Sequence, residues 1–211
     1  MLDVKKEQSV IRMYGVIGEY EDEISAIGFM QALDQFDGED ITIQLKSPGG
    51  EIDDGLSIYN QIEKYPGKVT VEIDSQAASI ATVFPMAADE IVMRRRSEMF
   101  IHDPWTMAMG NSREFRATAS YLDALAMEIA GVYADRTGMD PEYWFNIMAE
   151  TKRYSAQEAV EAGLADRVIG PQGMPKKPSD RIVEPQKVSA RLRGFATAKS
   201  LDMRMRIRNV Q

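Results

Sequence analysis

Two residues of this chain are equipped to pass a proton to and from a nucleophile: Ser79, in the run Ala-Ala-Ser-Ile-Ala, and His102, the single histidine. Ser79 stands where a strand-like run (Val69, Val71, Ile73) gives way to small apolar residues expected to form a helix over 76–88. At such a junction a hydroxyl sits near backbone N–H groups that lack helical partners. His102 follows a second strand-like run, Met99-Phe100-Ile101. A hydroxyl, an imidazole and backbone donors are the parts of an acyl-transfer site. The same two residues also read as a helix N-cap serine and a core histidine. A tetrahedral oxyanion needs preorganised donors, and two follow from the chain path. They are the N–H of Ile80 and a glycine N–H in Ser47-Pro48-Gly49-Gly50, where glycine lets backbone approach a substrate. Taken alone, that stretch is a turn.

The elements that must position these residues are legible as hydrophobic periodicity. Residues 10–18 form a strand ending at glycine, and 23–36 have apolar residues at helical spacing, closed by Asp37-Gly38. Ile41, Ile43 and Leu45 alternate with polar residues as a second strand that runs into the Ser-Pro-Gly-Gly turn. Residues 52–65 are an amphipathic helix ended by Pro66-Gly67, and 68–74 a third strand. Short strands at 90–93 and 98–101 flank Arg94-Arg95-Arg96, expected as a solvated turn. Residues 113–137 make a long helix with a broad apolar face, a pattern that calls for a partner as well as a core. A shorter helix over 141–150, a capping box opening the helix from Ser155 to Gly163, and a last strand at 165–169 complete the pattern. Alternating strands and helices imply a parallel α/β sheet with crossover helices, and ligands bind at the carboxyl ends of such strands. Both the Ser-Pro-Gly-Gly turn and Ser79 fall at strand ends.

Composition narrows the classes. A chain of 211 residues suits one domain, expected over 1–170, and prolines at 171, 175, 178 and 185 mark 171–187 as a linker into a basic tail that ends at 211. The alternating run 203–208 fits either an edge strand or a flexible tail. The tail holds ten Lys/Arg against three Asp/Glu, a net of +7, so with −8 overall residues 1–170 carry −15. An acidic body argues against broad nucleic-acid binding, and the tail suits acidic partners. Zero cysteines exclude disulfides and thiolate catalysis, and one histidine excludes a His-rich metal site. No run approaches the ~20 apolar residues of a membrane span. The N-terminus lacks the apolar stretch of a secretory signal, and a cytoplasmic location is expected. No phosphate-binding G-x-x-x-x-G-K-S/T motif occurs, so any ATP dependence must come from a partner.

Five ordered motifs then point one way: S-P-G-G, G-L-S-I-Y-N, Q-A-A-S-I-A, M-F-I-H-D-P-W and Y-S-A-Q-E-A-V-E-A-G-L-A-D. Together, over residues 10–169, they resemble the Clp protease proteolytic subunit family, and more closely the Clp-like head-maturation proteases of tailed phages and prophages. Gly110-Asn111-Ser112 and Ala149-Glu150-Thr151 lean toward the phage branch. The resemblance implies a crotonase-like stack of β-β-α units with a protruding helix, matched by 113–137. It also implies rings stacked around a chamber, with polypeptide as substrate and no cofactor. An ATP-driven unfoldase or a capsid scaffold protein would be the partner. It carries Ser79 onto the nucleophile, His102 onto the base, and Gly50 and Ile80 onto the oxyanion donors. The orienting carboxylate stays open. Ungapped from Ser155, its position is Thr151, whereas a one-residue slip makes it Glu150, the residue chosen here. With Thr151 in that place the site would be a Ser–His dyad, or one ordered by assembly. Asp103 adjoins His102, and adjacent side chains usually point apart, so it is not favoured. Trp105 is expected to pack near the site. Two alternatives remain: a non-catalytic ring component, and an acyl-CoA enzyme of crotonase type, which would use carboxylates in place of a Ser–His pair.

Overall fold

The computed structural model describes residues 1–19 and 23–170. Among these residues eight strands form one sheet. They are β1 (Leu2–Lys5), β2 (Val10–Tyr14), β3 (Ile41–Ser47), β4 (Val69–Ala78), β5 (Glu90–Arg94), β6 (Glu98–Ile101), β7 (Lys152–Ser155) and β8 (Arg167–Ile169). The helices are α1 (Ala26–Leu33), α2 (Ile52–Lys64), α3 (Ser112–Thr137), α4 (Pro141–Glu150) and α5 (Ala156–Glu161). The order β1-β2-β3-β4-β5-β8 is parallel from β2 onward, with β1 antiparallel at the edge. Alternation sorts the two faces. Ile11, Met13, Ile43, Leu45, Val71, Ile73, Ile91 and Met93 are buried under helices whose own inward residues include Phe29, Leu33, Ile58 and Ile62. The opposite face is polar: Tyr14 donates to Asp74 at 3.0 Å and Arg12 to Gln44 at 3.0 Å.

The feature that matters for function is that β4 forks. Its first half pairs with β5 (Thr70↔Glu90 to Ile73↔Met93), and its second half pairs in parallel with β6 (Gln76↔Glu98 to Ala78↔Phe100). β6 branches off the main strand order within the same sheet and takes β7 as an antiparallel neighbour. Residues that follow β4 and β6 are thereby brought to the same place.

Several expectations need correction. Residues 76–88 form no α-helix. Gln76 to Ala78 stay in the strand because β6 offers them a partner, and 3-10 turns follow at Ser79–Thr82 and Phe84–Ala87. Pro85, which lacks an N–H, interrupts any longer helix. The helix expected over 23–36 is α1 plus a 3-10 turn at Asp34–Phe36, with Ser25 as its N-cap. β1 and β7 were not expected, because each is four residues long and owes its conformation to a neighbouring edge rather than to its own pattern. Arg94 is not in a solvated turn. It ends β5 and pairs with Glu72 and, at 2.8 Å, Asp74, while Arg95 and Arg96 are exposed. The linker and basic tail lie outside the described residues.

Candidate active site

Three parallel strand ends build the site. β3 ends at Ser47, paired with Ala77, so the turn Pro48-Gly49-Gly50 lies beside Ser79. A Cβ on Gly49 would fall 2.6 Å from Ser79 Cβ, and a Cβ on Gly50 would overlap the carbonyl oxygen of Ile17. Gly49 (φ +96°) and Gly50 (φ +151°) also hold backbone conformations open to glycine. The register Ala78↔Phe100 sets Ser79 opposite Ile101, with His102 one residue on. Twenty-three positions of sequence separation thus collapse to adjacent strand ends.

Ser79 itself is left-handed, φ +57°, at the hand-over from strand to turn. Such backbone strain in a non-glycine residue persists only where the surroundings enforce it. Here they do. The Thr82 hydroxyl donates to the Ser79 carbonyl at 2.6 Å, and with that proton committed it accepts from the Tyr133 hydroxyl of α3, also at 2.6 Å. Burial pushes the Tyr133 phenol well above its ordinary range, so it remains a donor. The first N–H groups of a 3-10 turn have no partner within it, which leaves that of Ile80 available beside Ser79.

Ser79 and His102 border one cleft of about 480 Å³. Pro48, Gly50, Glu51 and Asp53 form one rim, and Trp105, Met107, Tyr121, Leu122 and Leu125 the other. Trp105 is 69% exposed and Met107 91%, so this wall is apolar and open. Among the described residues no hydrogen bond joins Ser79 Oγ to His102. The His102 ring is tied elsewhere: Nδ1 lies 2.6 Å from the carbonyl oxygen of Asp103. Burial holds the Asp103 carboxyl above the usual carboxylate range, the His102 ring draws it down, and Asp123 of α3 pushes it up.

Glu150 and Thr151 close α4. Thr151 is left-handed, φ +56°, and both residues are exposed. No hydrogen bond links either to His102 among the described residues, and the field of Glu150 is felt at Tyr154. A wider groove of about 540 Å³ elsewhere, lined by Arg95, Arg96 and Arg153, lacks a nucleophile–base pair. No cluster of metal-ligating side chains occurs among the described residues. No helix there is long and apolar enough to cross a membrane. Sequence reasoning missed the Thr82–Tyr133 brace, which has no motif. Gly55 entered only as the first residue of G-L-S-I-Y-N, although its place inside α2 signals close packing, since a helix-interior glycine needs a packing reason.

The model of the Clp protease family matches residues 5–172. An ATP-dependent Clp protease proteolytic subunit of Ligilactobacillus salivarius (strain UCC118) is 32% identical over 75% of this chain and 83% of its own length. Proteins of the same description from Bacteroides fragilis (31%, 65% of this chain, 68% of theirs) and Bacteroides thetaiotaomicron (32%, 65% and 64%) are similar. With Ser79, His102 and a glycine turn meeting at three strand ends, and a family match over most of its length, this chain belongs to the Clp protease family and is a serine-type peptidase.

Proposed function

We propose that the chain is the endopeptidase subunit of a ring assembly, cleaving polypeptides through an acyl-enzyme. Ser79 Oγ attacks the peptide carbonyl while His102 Nε2 takes its proton. The oxyanion forms against the N–H groups of Gly50 and Ile80. Collapse expels the amine, which leaves with the proton from Nε2, and water repeats the sequence to release the acyl group. The orienting group has two candidates: Glu150, whose helix end meets the base through the Asp103 N–H to Met148 carbonyl bond at 3.2 Å, and Asp103 itself. The observation that carries the reading is the β4–β6 register, which supports Ser79 and His102 as one unit facing one cleft.

The finer role proposed is head maturation in a phage or prophage, in the cytoplasm, with capsid or scaffold protein as substrate or a separate ATPase as feeder. It is supported by the Gly110-Asn111-Ser112 and Ala149-Glu150-Thr151 stretches. Residues 1–170 form the peptidase domain in this reading, and 171–211 a linker and basic tail. A fluorophosphonate probe is expected to label the assembled protein at Ser79, with no label on Ser79→Ala, and unfolded casein is expected to disappear only with the wild type. An unlabelled wild type, with casein or scaffold protein persisting equally in both, favours the non-catalytic ring component. Turnover of a CoA thioester without labelling favours the crotonase-type alternative.

A further inference from the structure

The bond that holds the His102 ring also assigns its proton. A carbonyl oxygen only accepts, so the Nδ1 that lies 2.6 Å from the Asp103 oxygen bears the hydrogen. The lone pair is then on Nε2, where the serine proton must go. The residue is itself tied down, because the Asp103 N–H donates to the Met148 carbonyl at the end of α4. The Asp103 side chain is harder to explain as mere structure. Its Oδ1 is shielded from water and makes no hydrogen bond. Burying a carboxylate oxygen without a donor is costly unless a positive charge offsets it. The neighbour that becomes positive during the reaction is the imidazole.

We propose that Asp103 is the positioning residue for His102, its main-chain carbonyl fixing the tautomer and its carboxylate stabilising the imidazolium. The resemblance gives that work to position 150 or 151. The assignment rests on the serine-peptidase reading of the site. The other charged and titratable groups around the base are accounted for. Glu51 and Asp53 of α2 and Tyr121 of α3 sit at the cleft rim. Asp123 of α3 acts on Asp103 as a like charge. Glu150 is exposed at the end of α4. On β7, Lys152 pairs with Ile101, and the Arg153 guanidinium lies 4.1 Å over Phe100, whose ring centre is 5.4 Å from that of His102.

Because His102 is the only histidine, nuclear magnetic resonance of the full-length assembled protein with ¹⁵N-labelled histidine reports this ring alone. The neutral ring is expected as the Nδ1–H tautomer. In Asp103→Asn the imidazole titration is expected to move to lower pH, because a departing negative charge makes the imidazolium easier to deprotonate. The acid limb of kcat/KM on a fluorogenic peptide moves with it, and kcat/KM falls about tenfold. Asp103→Glu, which keeps the charge, restores the wild-type titration. A purely structural role for Asp103 would lower the rate without moving the titration. An Nε2–H tautomer, an unmoved Asp103→Asn titration, a larger shift in Glu150→Gln, or an Asp103→Glu titration moved like that of the Asn variant overturns the assignment. Fluorophosphonate labelling of the same wild-type sample separates the two failures. Without label the peptidase reading fails, whereas label with an unmoved titration removes only the role of Asp103.

Discussion

Ser79 keeps its left-handed backbone because three groups leave it no other place: the Gly49–Gly50 turn on one side, Thr82 beneath, and Tyr133 behind Thr82. Ser79 is therefore set by packing, and as the proposed nucleophile it has the preorganisation that acyl transfer requires. Gly50 is the residue least able to change. A methyl there would overlap the Ile17 carbonyl oxygen, and its φ of +151° disfavours a side chain. Gly50→Ala is expected to displace the proposed oxyanion donor and lower kcat by about 10²–10³-fold. Steady-state peptide hydrolysis checks this, and a variant within twofold of wild type would exclude the Gly50 N–H from the oxyanion site. At this scale Ser79, His102 and Ile80 were legible as candidates because their residue types and neighbours suggest the chemistry, while Gly50 was singled out from its turn by the family resemblance. Asp103 was not, because nothing in a sequence says that a residue beside the base will turn its carbonyl onto the ring and bury its carboxyl.

The fork in β4 decides the geometry of the elements. Ten residues long, the strand takes β5 as its neighbour with its first half and β6 with its last three residues. The apolar alternation of Val69, Val71 and Ile73 announces the first half. The second, Gln76-Ala77-Ala78, is small and helix-compatible, so local preference and tertiary pairing disagree there, and the pairing with β6 prevails. α2 locks the outcome from above, since a Cβ on Gly55 would overlap Ile80 Cγ1. Gly55→Ala is accordingly expected to cost about 1–3 kcal/mol by overpacking, despite alanine's better helix propensity. It should also slow hydrolysis by moving the Ile80 amide. Thermal unfolding and peptide kinetics on the same preparation test both effects. A rise in Tm with full activity would mean that α2 does not clamp the turn.

For the molecule as a whole, α3 is the element out of proportion. Its 26 residues span about 39 Å at 1.5 Å per residue. The buried residues run only from Leu125 to Ala134, where the helix covers the site through Tyr133. The half before Leu125 is largely exposed, Phe115 at 50% and Tyr121 at 60%. That half begins with a well-formed end, an Asn111–Glu114 capping box, so it is built to stand away from its own core. Under the proposed ring assembly, Phe115→Glu places a charge on this overhang outside the cleft. Sedimentation velocity should then show a shift to smaller species, with peptide hydrolysis falling in step. An unchanged sedimentation profile would move the interface elsewhere.

What the amino-acid sequence determined by itself was the set of strands and helices with strong periodicity, the Ser155 capping box, and Ser79 and His102 as the candidates for nucleophile and base. These rest on short-range chemistry: side-chain alternation, caps, glycine turns and the scarcity of histidine. What only the tertiary structure decided was the extension of β4 past Asp74, the 3-10 turns in place of a helix, the edge strands β1 and β7, and the hold on His102. Each depends on a neighbour distant in sequence, whether a free strand edge, a helix laid across a turn, or the end of α4 that holds the Asp103 N–H. Local propensity carries no record of which neighbour will be there.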